Sequence, residues 1–236
     1  MKAVKFLMIA ALLIVGNAAY AQFANPTPGM NKTGGGSGVI VKDCKNYNRF
    51  NFSYYSLNFS GKNVDDDMET NYPGFRVGWL GGYALSSSSP LFIESGLDLL
   101  FNTKNIEIED DYYYEDYEDE IKIQMLSLAI PIHLAYKLSF TNSAYISPYA
   151  GLHFKVNVLA NEKYDGETFS YFDEDDMDMN GETFKRFQMG WRIGANVGYK
   201  AFNFNVGYMS DFTPLFSHRK TKLNTAGFVV GLGVNF

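Results

Sequence analysis

The stretch DEDDMDMNGE, residues 173–182, sets Asp176, Asp178 and Asn180 at alternate positions with Gly181 directly after them. That is how a calcium loop of the D-x-D-x-N-G kind begins, with hard oxygen donors converging on a cation and a glycine that lets the chain turn. A helix-loop-helix calcium site would also need a bidentate carboxylate at its twelfth position, where this chain has Phe187. Glu182 is the carboxylate left to complete a non-standard set with Asp176, Asp178 and Asn180. The competing reading is a hydrated loop whose carboxylates repel one another, and half a motif favours it, so no cofactor beyond weakly held calcium is expected.

A second set of reactive types is spread along the chain: Arg76, Glu94, Asp98, His133, Lys155 and Arg192, expected with Lys137 and Lys200 to form a polar network that faces the lumen and fills it. His133 and His153 with Ser127 are the types from which a hydrolytic base and nucleophile are built. Such chemistry needs all three within hydrogen-bond reach, and no triad motif brings them together in sequence, so no enzyme is expected. What decides their role is which way the backbone points them.

That direction is set by a period of two. Phe187, Met189, Trp191, Ile193, Ala195, Val197 and Tyr199 alternate with Gln188, Gly190, Arg192, Gly194, Asn196, Gly198 and Lys200. Successive strand residues point to opposite faces, so this is a strand with one greasy and one polar or glycine-rich side. The same pattern recurs around 202–208 and 226–236, and again around 146–158, 126–138, 93–102 and 75–83. The first strand, about 47–59, changes phase from Phe50, Phe52 and Tyr54 to Tyr55, Leu57 and Phe59, which predicts a β-bulge. Ile121 and Ile123 show a similar change at the start of the fourth strand. A strand turn centred near Ser87 would put Arg76 directly opposite Asp98.

Eight strands result, with long connections at about 60–71, 104–120 and 160–185 and short ones at 84–90, 139–144 and 200–201. Long loops at one end and tight turns at the other predict an all-β, eight-stranded antiparallel up-and-down transmembrane β-barrel with a filled polar lumen. Extra strands within 160–185 would instead make ten. A soluble barrel with its apolar face inward could not house so many large residues. Eight strands also enclose too little space for an aqueous channel.

Lys2 and Lys5, an apolar run from Phe6 to Val15 and Ala19-Tyr20-Ala21 predict an N-terminal signal peptide over 1–21. Residues 22–46, with NPTPGMNKTGGGSG, predict a flexible periplasmic leader, and 47–236 the barrel domain. One cysteine, Cys44, allows no internal disulfide. Without the signal lysines the formal charge moves from −6 to −8, which disfavours nucleic acid and anionic headgroups as electrostatic partners.

MLSLAIPIHLAYKL (125–138), YISPYAGLHFKVNV (145–158) and the closing GFVVGLGVNF resemble the PorT-like outer-membrane barrels of the Gram-negative Bacteroidota, over about 47–236. The resemblance implies the cell outer membrane and, through PorT itself, an accessory part in protein secretion; most relatives have no assigned activity. With both termini periplasmic, the long loops carry 22 of the 26 acidic residues to the outside. There the carboxylates interleave with Tyr112, Tyr113, Tyr114 and Tyr117, so the expected task is structural or surface interaction. The partners this allows are outer-membrane lipids and lipopolysaccharide, through divalent ions on the acidic loops, an extracellular protein or glycan, or secretion-system components.

Overall fold

Alternating side chains make a sheet that is greasy on one face, and closing such a sheet buries the other face and removes both edges. The computed structural model describes residues 45–62, 71–87, 89–108, 119–140, 143–173, 184–218 and 221–236. The predicted signal peptide and nearly all of the leader lie outside the described residues, as do Asp176, Asp178, Asn180 and Glu182 of the candidate calcium loop and the tyrosines at 112–117.

In chain order the strands are β1 (Tyr47–Lys62), β2 (Asn71–Ala84), β3 (Leu91–Ile108), β4 (Asp119–Tyr136), β5 (Leu138–Ser139), β6 (Ala144–Tyr164), β7 (Glu167–Ser170), β8 (Phe187–Tyr199), β9 (Phe202–Asp211), β10 (Phe216–His218) and β11 (Thr221–Asn235). Each long strand pairs antiparallel with the next, and β1 pairs with β11, which closes an eight-stranded barrel. Of the short strands, β5 carries the β4 side of the wall on against β6 in unchanged register, with Leu138 opposite Ile146, and β10 pairs with the loop end of β11. β7 folds back on β6 alone, through a two-residue turn with Asp165 and Gly166 both at positive φ (47° and 78°), so the segment after 160 adds a hairpin and not a ninth and tenth strand. Asn48 and Phe236 exchange backbone hydrogen bonds of 2.9 and 3.0 Å, which ties both ends of the barrel chain at the tight-turn end.

The outer face is apolar from top to bottom. Phe52, Ile193, Phe204, Leu232 and Val234 are among its exposed side chains. Aromatic side chains gather at the loop end, where Tyr208 stands between Trp191 and Phe228 at ring separations of 5.7 and 4.9 Å. This is the surface that lipid covers.

Two register expectations are corrected. The turn between β2 and β3 is centred one position later than Ser87, so Arg76 pairs with Leu100, and Asp98 lies opposite Gly78. The phase change in β1 is not a bulge: its pairing runs without a break from Tyr47 to Asn58 against β2 and from Arg49 to Lys62 against β11. Tyr55, Leu57 and Phe59 instead keep the inward phase of Arg49, Asn51 and Ser53 and are buried. What changes along β1 is the filling of the barrel, polar at the turn end and apolar at the loop end. In β4, Ile123 likewise joins that apolar filling, and the one register shift lies between Leu126 and Ser127 in its pairing with β6.

Candidate functional site: the barrel interior

Alternation sends every second residue of eight strands into a space that only side chains can fill. All six predicted network residues, Arg76, Glu94, Asp98, His133, Lys155 and Arg192, point inward and are at most 3% exposed. They do not form a single cluster. They divide into three layers, stacked from the turn end towards the loops.

In the layer nearest the turns, Glu94 accepts a hydrogen bond from the Tyr47 hydroxyl and faces the Arg49 guanidinium at 3.2 Å. His133 Nδ1 stands 3.7 Å from the same carboxylate, and its ring stacks on Tyr149 with centroids 4.7 Å apart. Tyr149 fits because Gly194 and Gly207 face it: a Cβ at either would lie 2.5 Å from the phenol oxygen. Lys137 closes this end, its ammonium lying 4.8 and 4.4 Å from the Tyr47 and Tyr145 ring centres. Lys200, predicted to face the lumen, sits instead in the exposed β8–β9 turn at φ 55°.

The middle layer holds Asp98 between two guanidinium groups. Arg192 reaches from β8 to hydrogen-bond one carboxylate oxygen, and Arg76 Nε lies 3.9 Å from the other. In the third layer Asp211 is the hub. It meets His153 Nε2 at 2.5 Å, accepts from Lys155 Nζ at 2.5 Å and accepts from the Thr225 hydroxyl. Lys155 also donates to Thr225 at 2.9 Å, and Gln188 and Asn157 continue the network to Ser127.

The geometry does not build a hydrolytic site from Ser127, His133 and His153. The Ser127 hydroxyl donates to Asn157 at 2.8 Å, and the His153 ring meets Asp211, with its other nitrogen unpartnered among the described residues.

Above these layers the interior turns apolar. Tyr55, Leu57, Phe59, Tyr72, Leu100, Met125, Leu215 and Leu223 form one buried cluster across the loop end. The chain beyond the barrel folds over it: Tyr171 stacks on Phe184 at 4.6 Å, and Lys185 and Leu215 are joined by a backbone hydrogen bond of 2.7 Å. The Tyr171 hydroxyl donates to Glu162 at 2.5 Å, and burial with that carboxylate beside it pushes the phenol well above its ordinary range.

Sequence reasoning missed Arg49, Tyr47 and Asp211. The signal was present, since Arg49 shares the phase of Asn51 and Ser53, and Asp211 extends the run Asn203, Asn205, Gly207 and Met209. Of the four acids outside the long loops, three are now accounted for as the carboxylates of these layers, Glu94, Asp98 and Asp211.

Among known families, the one described as "Outer membrane protein beta-barrel domain" matches residues 45–217, over two-thirds of the chain. No curated protein matches. Among solved structures, OprG from Pseudomonas aeruginosa is similar at 12% identity and a TM-score of 0.44, covering 83% of this chain and 97% of its own. Neisserial surface protein A (NspA) gives 14% identity and 0.41, with 81% and 97% covered. Ail, the attachment invasion locus protein of Yersinia pestis, gives 10% and 0.39, with 82% and 100% covered.

Proposed function

We propose, for a chain that belongs to the outer membrane protein beta-barrel domain family and so resides in the outer membrane, a non-enzymatic role exercised at the loop end of the barrel. The observation that carries this is the interior: among the described residues, three polar layers and an apolar cap fill the lumen, and the Ser127 hydroxyl is engaged by Asn157 and not by a histidine. What remains to act is what projects. The β3–β4 hairpin continues to Ile108 and Asp119, six residues past the last β2 partner of β3, and the β6–β7 hairpin folds over the cap. In this reading both termini are periplasmic, and the acidic, tyrosine-rich loops meet an extracellular protein or glycan.

A second reading, a PorT-like accessory part in protein secretion, is supported by the resemblance of 125–138 and 145–158, which are neighbouring strands of one wall. One experiment separates the two. Intact cells carrying the full chain are treated with protease, and the secreted proteins are compared between wild type, a deletion of residues 109–118 and a complete knockout. Surface interaction predicts cleavage within the loops on intact cells and unchanged secretion in both mutants. Cargo trapped in the periplasm of the knockout would overturn it in favour of the accessory role.

A further inference from the structure

We propose that the middle layer of the lumen binds a chloride-sized monovalent anion against Arg76 and Arg192. Among the described residues, the side chains buried in the three polar layers include four cations, Arg49, Arg76, Lys155 and Arg192, against three carboxylates, Glu94, Asp98 and Asp211. A protonated histidine would only widen that difference.

The surplus is local. In the layer nearest the turns Arg49 and Glu94 face each other at 3.2 Å, and in the third layer Lys155 and Asp211 meet at 2.5 Å. The middle layer instead sets two guanidinium groups on one carboxylate, with Arg192 hydrogen-bonded to Oδ2 of Asp98 and Arg76 Nε 3.9 Å from Oδ1. A buried lysine can shed its proton, but a guanidinium cannot. One positive charge is therefore left inside the membrane-spanning wall, where an unpaired ion is costly.

Unused donors stand at the same place. Nε and Nη2 of Arg192 and Nε of Arg76 are buried without a hydrogen-bond partner among the described residues. Both guanidinium groups reach for one carboxylate, which makes them neighbours, and both charges act on the phenol of Tyr55 in the apolar cap above. Arg192 also acts on the rings of His133 and His153, in the layers on either side.

Charge and room narrow the ligand. The inward positions beside these groups on β2, β3, β4 and β6 are Gly78, Gly96, Ala129 and Gly151, which bring neither bulk nor charge into the layer. A surplus of one calls for a single negative charge, and the free N–H groups of the two arginines offer it charge-assisted hydrogen bonds that Asp98 does not use. A divalent anion would overshoot the surplus, and a neutral polar molecule would leave it in place.

The full chain, refolded into uncharged vesicles, is unfolded in urea at constant ionic strength in sodium chloride or in sodium gluconate, whose anion is too bulky for the layer. The wild-type midpoint should rise with chloride along a saturating curve, standing roughly 1 M higher at about 100 times the half-saturating concentration. Arg76→Gln removes the surplus charge and should abolish this chloride dependence, whereas a general salt effect would act alike on variant and wild type. Equal wild-type midpoints in the two salts, or an undiminished chloride effect in Arg76→Gln, would overturn the site. Should the variant not fold, wild-type crystals grown in sodium bromide decide. An anomalous scattering peak beside both guanidinium groups is expected, and the lack of one there would overturn the proposal.

Discussion

Asp98 is the most exacting test of the layered interior, because one fully buried carboxylate serves two arginines. Asp98→Asn keeps the shape of the side chain and an oxygen for Arg192, so what it removes is charge. At an effective dielectric near 20, the 3.9 Å pair with Arg76 alone is worth about 4 kcal/mol. Breaking a buried pair by losing one partner typically costs about 3–5 kcal/mol, since the other charge stays buried and uncompensated. The barrel refolded into vesicles and followed by tryptophan fluorescence through urea unfolding should show that loss. With a slope of about 2–3 kcal/mol per molar, the midpoint falls by roughly 1–2 M. Asp98→Asn/Arg192→Gln returns the layer to its original net charge and should recover part of the loss, a coupling that distant sites do not show. A loss below about 1 kcal/mol, or strict additivity of the two changes, would refute a dry, charge-matched layer.

Three further outcomes follow from the same structure. Val206, exposed on the outer wall opposite Val230, should lose about 2–4 kcal/mol as Val206→Arg in vesicles if lipid covers it, against about 0.5 kcal/mol for a water-facing site; equal stability of variant and wild type would deny the lipid contact. Planar-bilayer recordings of the wild-type chain should show no discrete conductance steps, and steps of any reproducible size would mean that the apolar cap opens. Calorimetric titration with calcium should give the same featureless heat for wild type and Asp176→Asn/Asp178→Asn; saturable binding lost in the variant would make the half-motif at 176–182 a metal site.

Most of the wall was legible because alternation is a local property and lipid leaves no ambiguity about which face is greasy. The faces of 187–199 and 146–158 could be assigned residue by residue for that reason. Register was legible only to within one pairing, since the β2–β3 turn contains a run of serines with no residue that fixes its centre. That one-position error in the turn centre set Asp98 opposite Arg76 in place of Gly78, and it gave no sign of the hydrogen-bond partner Arg192, which lies across the barrel on β8. Contacts through the lumen join strands far apart in sequence, 94 residues in this case, and no short-range pattern encodes them.

The phase change in β1 is instructive for a different reason. A bulge and a change of filling both move aromatic residues onto the polar phase, and from one strand they look alike. Neighbouring strands separate them: Tyr72 on β2, Leu100 on β3 and Met125 on β4 also turn apolar on the inward phase near the loop end, which no bulge in β1 would cause. A barrel that is polar inside at one end and apolar at the other is stoppered by its own inward wall residues, with Leu215, Phe172 and Phe184 from the connections packed onto them. The rest of the loop sequence is then released to carry acids and tyrosines that would be intolerable inside. Placing function at the loop end thus follows from the packing of Tyr55, Leu57 and Phe59 as much as from the composition of the loops.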